Sequence, residues 1–215
     1  MTVPPDLRAE IVAVMRALKQ AGLNHGAAGN VSARFAGGFL VTPTGVPPDD
    51  LAAEQIVALD ADGAPAEQRW RPSSEWRFHR DIYRARPEVN AVVHVHSTHA
   101  TALACARRDI PAFHYMISTA GGDSVRCAPY ALFGTQALSD AALGALEGRR
   151  ACLLANHGMI ALGASLAAAL RLTIEVEALA RQYCLTLQIG GPVVLSDEEM
   201  REVLERFKTY GQQPR

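Results

Sequence analysis

The sequence predicts an α/β fold around a sheet in which several neighbouring strands run antiparallel, and three observations carry that expectation. Short apolar runs rich in β-branched residues, foremost Ala91-Val92-Val93-His94-Val95-His96, intermix along the chain with stretches of helical periodicity. Glycine turns at Gly37-Gly38, Asp62-Gly63 and Asn156-His157-Gly158 punctuate successive strands. At 215 residues, without linker, repeat or low-complexity tract, the chain is expected to be one domain spanning 1–215.

Asp6 is placed to cap a first helix, in which Leu7, Ile11, Val14, Met15 and Leu18 recur at helical spacing and which ends near Gly22. Gly26–Arg34 is a small-residue loop running into a strand. Such a loop lets backbone amides approach an anion, with Asn30 as a side-chain donor, although a plain tight turn also explains it. The Gly37-Gly38 turn leads into a strand at Phe39–Thr42 and then into Thr42-Pro43-Thr44-Gly45, a second loop of hydroxyls and glycine. Ile56–Leu59 is the next strand.

Pro72-Ser73-Ser74-Glu75-Trp76 opens a helix with a serine expected at the N-cap and Glu75 in the first turn; Pro87 stops it after Arg86. Its start, with free N–H groups and two hydroxyls, suits a phosphate; capping and dipole complementarity explain the same residues. Ser97 or Thr98 is expected to cap a short helix through Ala106, and Ile110–Ile117 to be extended. Thr135 is expected to cap a helix to Leu146. Ala151–Ala155 and Met159–Leu162 read as strands, Leu166–Ile189 as a long helix, and Ser196 with Glu199 as the capping box of a last helix ending before Gly211.

On a strand, His94 and His96 leave the same face, where two imidazoles can share a divalent metal; a pair of core histidines satisfied by carbonyls is the other reading. His157, at the tip of the Asn156-His157-Gly158 bend, is a candidate third ligand. Twenty-one Lys and Arg against 22 Asp and Glu leave a net charge of −1, which gives no reason to expect nucleic acid or an anionic membrane as partner. No apolar run reaches the length of a membrane span, and Ile11–Leu18, interrupted by Arg16, lacks the marks of a signal peptide. Cys105, Cys127, Cys152 and Cys184 are scattered among apolar neighbours, so buried, reduced thiols in a cytoplasmic protein are expected.

Gly29-Asn30-Val31-Ser32, Thr42-Pro43-Thr44-Gly45, Pro72-Ser73-Ser74-Glu75, His94-x-His96 and Asn156-His157-Gly158, in this order, resemble the motifs of class II aldolases of the aldolase/adducin superfamily. Ser73–His79, Ile110–Ile117, Leu195–Glu199 and Phe207–Gly211 are similar, within that family, to the fuculose-phosphate type. The resemblance spans nearly the whole chain. It implies a three-layer α/β/α sandwich around a mostly antiparallel sheet, assembled as a homotetramer with the active site at a subunit interface. It also implies a catalytic Zn²⁺ per subunit (Mn²⁺ and Co²⁺ being alternatives) on His94, His96 and His157, with Glu75 as a fourth ligand that swings off when substrate arrives.

The implied reaction is reversible retro-aldol cleavage of a ketose 1-phosphate, of the L-fuculose 1-phosphate type, to dihydroxyacetone phosphate and a small aldehyde. Gly29, Asn30, Thr44, Gly45, Ser73 and Ser74 would hold the phosphate. Glu75 would move the C3 proton, Tyr115 would act across the subunit boundary, and Tyr210 would close the site from the tail. No lysine sits in these motifs to serve a Schiff-base route. Two departures stand out: Ala27-Ala28 replaces a hydroxyl residue frequent in the family's glycine loop, and the tail Gln212-Gln213-Pro214-Arg215 differs, which leaves the aldehyde open. The alternatives are 5-deoxyribulose 1-phosphate or 5-methylthioribulose 1-phosphate as substrate, or a ribulose-phosphate 4-epimerase or dehydratase of the same superfamily. An adducin-like interaction module predicts loss of the histidines, and all three are present.

Overall fold

In the computed structural model, which describes residues 5–66 and 69–209, seven strands form one sheet. They are β1 (Asn30–Phe35), β2 (Gly38–Val41), β3 (Val57–Asp60), β4 (Ala91–Val95), β5 (Arg126–Ala128), β6 (Ala151–Leu154) and β7 (Gly158–Gly163). The helices are α1 (Pro5–Gln20), α2 (Trp76–Ala85), α3 (Thr98–Cys105), α4 (Gln136–Ala145), α5 (Leu166–Gln188) and α6 (Asp197–Phe207), with 3₁₀ turns at Ala53–Gln55 and Tyr115–Ala120. The sheet order is β3-β2-β1-β4-β7-β6-β5, and every pairing is antiparallel except β5 with β6.

β4 lies at the centre between β1 and β7, and all five of its residues are buried, which is why its sequence is almost continuously apolar rather than alternating. Its residues sort by parity. Ala91, Val93 and Val95 pack into a core shared with α1, α3 and α5; Val92 packs with Phe78 and Ile82 of α2 and Leu138 and Ala142 of α4. The result is three layers, helix on sheet on helix, as the resemblance implied. His94 shares parity with Val92 and so faces α2, where the Phe78 ring meets it edge-on at 5.6 Å between centroids.

Several boundaries differ from the sequence expectation, each for a long-range reason. α1 begins at Pro5, so Asp6 lies inside its first turn rather than at its cap. Its end is as expected: Leu23 N–H donates to Leu18 C=O (2.9 Å), Gly22 N–H to Lys19 C=O (3.0 Å), and Gly22 takes φ +69°. α2 starts at Trp76, later than expected, with Glu75 at the cap position. The preceding backbone is held extended, because Pro72 bridges Pro43 and Ser73 N–H donates to Thr42 C=O (2.9 Å). Ile110–Ile117 is not a strand: Ile110 alone bridges Val125, and the chain then winds into the 3₁₀ turn that His114 caps through Met116 N–H (3.2 Å). β5, unmarked by sequence, is three residues long and exists through its parallel pairing with β6. Of the cysteines only Cys152 is buried; Cys105 is exposed, Cys127 and Cys184 are half-buried, and all four are unpaired. No helix among the described residues is long and apolar enough to cross a membrane.

Ser97 occupies the cap position of α3, yet its hydroxyl makes no capping bond. The cap comes instead from α5, where the Glu177 carboxylate accepts from His99 N–H and Ala100 N–H, both at 2.9 Å. Since α3 leaves β4 directly after His96, this carboxylate fastens the exit of the central strand. Glu177→Ala strands two backbone donors, and the expected cost is ~1–3 kcal/mol, read as a lower urea midpoint at unchanged slope. An unchanged midpoint would show that α3 holds without it.

Candidate active site

His94 and His96 project from the end of β4, and the β4–β7 register, Val95 opposite Met159, brings the β6–β7 turn and its His157 beside them. That turn needs Asn156 at φ +55°, a left-handed conformation that asparagine tolerates better than most residues. Gly158 is required by space: a Cβ there would stand 2.5 Å from Val95 C=O and 2.8 Å from His96 Cδ2. The ligand atoms of the three imidazoles all lie within 4.8 Å of one another, and Nε2 of His94 is 3.0 Å from Nε2 of His96.

Nδ1 of His94 sits 2.9 Å from the Met159 carbonyl. A carbonyl only accepts, so Nδ1 carries a hydrogen and Nε2 is the nitrogen turned to the cluster. Burial, then the neighbouring His94, lowers the pKa of His96 and of His157 to about 4, so both rings are neutral at physiological pH. Glu75 completes the group: Oε2 is 3.3 Å from His94 Nε2 and Oε1 is 3.3 Å from His157 Nε2. Burial pushes its carboxyl up, but His94, His157 and the Asn30 donor outweigh burial and hold it well below the usual carboxylate range. Its buried Oε1 has no hydrogen-bond partner. An orphaned carboxylate oxygen beside three converging imidazoles is the donor set of a divalent cation, and these residues fit one.

A cleft of about 320 Å³ opens from this cluster, lined by His96, His157 and Glu75 and by all six residues proposed for phosphate: Gly29, Asn30, Thr44, Gly45, Ser73 and Ser74. The three glycine- and hydroxyl-rich loops therefore meet at one cleft. Gly29, at φ +74°, has no room for a Cβ, which would lie 2.6 Å from His94 C=O; Gly45, at φ +73°, faces open space. Two of the expected donors are spent elsewhere. The Asn30 side chain is committed to Glu75 (2.9 Å) and His79 (2.5 Å), so it is not a free donor to an anion. The N–H groups of Glu75 and Trp76 are taken by Ser73 Oγ and Ser73 C=O, so neither of these two is a free donor to an anion. The glycine-loop residues and the hydroxyl residues Thr44, Ser73 and Ser74 line the cleft and can serve an anion.

Tyr115 is not brought to this cleft: it is 46% exposed, stacked on His114 and facing Phe207 across 6.3 Å. Tyr210 lies outside the described residues. Sequence reading missed Asn156, Tyr130 and Phe133 on the cleft wall. Tyr130, Leu132 and Phe133 are each more than half exposed, and their only sequence signal is a cluster of large apolar residues in a loop bracketed by Pro129 and Gly134.

Residues 9–184 match the family described as Class II Aldolase and Adducin N-terminal domain. The chain belongs to this family. It is 53% identical over 205 residues to the 5-methylthioribulose-1-phosphate/5-deoxyribulose-1-phosphate aldolase of Rhodospirillum rubrum, covering 95% of this chain and 92% of that protein. It is 52% identical over 206 residues to the L-fuculose phosphate aldolase of Escherichia coli K12, covering 95% of each. A solved structure of L-fuculose 1-phosphate aldolase superimposes with a TM-score of 0.92 at 41% identity, over 96% of this chain and 98% of that one.

Proposed function

We propose that the whole chain works as one aldolase domain that reversibly cleaves a ketose 1-phosphate to dihydroxyacetone phosphate and a small aldehyde. The observation that carries this reading is the meeting of Glu75 and the three histidines with a hydroxyl- and glycine-lined cleft. His94, His96, His157 and Glu75 would hold one divalent ion per subunit, Zn²⁺ suiting the imidazoles and Mn²⁺ or Co²⁺ being alternatives. When bound, that ion supplies Lewis-acid stabilisation of the negative charge that cleavage leaves on the C2–C3 unit.

The residues divide the remaining work. Thr44, Ser73 and Ser74, with Gly29, Gly45 and the main chain of Asn30, bind the phosphate and thereby fix C3 relative to Glu75. Glu75 protonates C3 in cleavage and removes that proton in condensation. Tyr115 exchanges the proton of the C4 hydroxyl, and its exposure away from its own cleft supports delivery into the cleft of a neighbouring subunit within a homotetramer. Tyr210, from the tail, would close the same site. Four unpaired thiols suit a reducing cytoplasm.

On the cleft wall, the exposed Tyr130 and Phe133 suit an aldehyde with an apolar end. This fits lactaldehyde or acetaldehyde, and equally the methylthio aldehyde of the 5-methylthioribulose 1-phosphate reading. With a divalent metal, dihydroxyacetone phosphate and such an aldehyde, the protein should form a ketose 1-phosphate. Unphosphorylated dihydroxyacetone should be at least about tenfold poorer in kcat/KM, the equivalent of one hydrogen bond to a charged group. Equal use of both would overturn the phosphate assignment, and no condensation with any aldehyde would overturn the aldolase reading.

A further inference from the structure

Glu75 does not stand alone behind the histidines. Glu75, His79 and Tyr83 are spaced four apart along α2, and Asn30 and Ser32 two apart on β1. Four residues of helix advance about 6 Å and two residues of strand about 6.6–6.8 Å, so the two stripes interleave like a ladder. The contacts alternate accordingly: Glu75 Oε2 to Asn30 Nδ2 at 2.9 Å, Asn30 Oδ1 to His79 Nε2 at 2.5 Å, His79 Nδ1 to Ser32 Oγ at 2.6 Å, and Ser32 Oγ to Tyr83 OH at 2.7 Å. All five side chains are buried.

The direction of each bond follows from the first. A carboxylate only accepts, so Asn30 must turn its NH₂ to Glu75 and its carbonyl oxygen to His79. That oxygen needs a donor, so His79 carries its hydrogen on Nε2. Burial and the nearby His94 depress the His79 pKa to about 3, so the ring is neutral and its Nδ1 has a lone pair. Ser32 therefore donates to Nδ1 and accepts from Tyr83. The opposite tautomer would turn the Asn30 carbonyl toward the carboxylate, setting two acceptors face to face.

We propose that His79 is a positioning residue for Glu75: as an Nε2–H imidazole, oriented by Ser32 and Tyr83, it fixes the Asn30 amide that holds one Glu75 oxygen and leaves the other to the histidine cluster. The proposal rests on the reading that Glu75 is a metal ligand and proton carrier. It also accounts for why Asn30, at the edge of the phosphate cleft, spends its side chain inward.

The test uses two isosteres that replace opposite ring nitrogens. The amide nitrogen of glutamine reaches the place of Nε2, and that of asparagine the place of Nδ1. His79→Asn is expected to lower kcat for cleavage by about 10–100-fold and to weaken Zn²⁺ binding, measured by chelator competition, by a similar factor. KM for the ketose 1-phosphate should stay within about threefold, because the phosphate loops are untouched. His79→Gln should recover most of both losses. Ser32→Ala, which removes one oxygen from a packed strand, covers the case in which the His79 variants do not fold, and is expected to lower kcat by about 3–10-fold, the equivalent of one hydrogen bond. A His79→Asn protein equal to wild type would overturn the proposal, as would a His79→Gln protein no better than His79→Asn, or, if neither folds, a wild-type-like Ser32→Ala. An inactive wild-type protein would sink the aldolase reading instead, and the Zn²⁺ affinities would then decide the positioning role by themselves.

Discussion

Glu75→Gln is expected to lose about 10²–10⁴-fold in the rate of cleavage, the usual contribution of a general acid or base, while KM changes little. The substitution keeps the length and planarity of the side chain. Its amide oxygen can still accept from Asn30 Nδ2 in the place of Oε2, and its NH₂, in the place of Oε1, then faces His157 Nε2 at 3.3 Å. The fold around α2 should therefore survive, because the helix start depends on Ser73 and on the Pro43–Pro72 bridge and not on the Glu75 side chain. What disappears is the capacity to carry a proton. Steady-state kinetics beside a thermal melt would check this, and wild-type turnover in a well-folded Glu75→Gln protein would assign the proton to another group.

The second large effect concerns the metal. His96→Ala removes one of three converging imidazoles, and the loss of divalent-metal affinity should exceed the ~10–100-fold typical of residues that merely support a ligand. Gly158→Ala is the sharper experiment, because it deletes no ligand. Its Cβ would lie 2.5 Å from the Val95 carbonyl, a backbone atom that cannot turn aside, so the β4–β7 pairing must open where His94, His96 and His157 meet. We expect metal content, by elemental analysis after dialysis, to fall in both variants, with activity falling in step. A Gly158→Ala protein that retains one ion per chain would mean that the histidine geometry tolerates that displacement.

Much of this arrangement is legible in the sequence wherever it depends on neighbours in the chain. The His94–His96 spacing on an apolar run, the Asn156-His157-Gly158 hairpin and the α6 capping box are all local patterns, and the structure shows each. What sequence reading missed is set by partners far along the chain. The start of α2 is delayed by an extended contact with the segment around Pro43, β5 exists because β6 accepts it, and α3 is capped by Glu177 rather than by Ser97. Asn30 illustrates the limit best. Its place in a small-residue loop points to an anion donor, and only the packing of α2 on β1 commits its amide to Glu75 and His79. The pairing of Glu75, His79 and Tyr83 with Asn30 and Ser32 follows from that packing alone.

The most direct measurement follows dihydroxyacetone phosphate alone, in D₂O, with the wild-type protein loaded with a divalent metal. Because no aldehyde is present, the experiment isolates proton removal at C3 by Glu75 beside the histidine cluster. The account predicts that NMR will show one of the two C3 protons replaced by deuterium, that stripping the metal will abolish the exchange, and that restoring it will return the exchange. Persistent absence of exchange in the fully loaded protein, or exchange at the same rate after the metal is removed, would contradict the account at its centre.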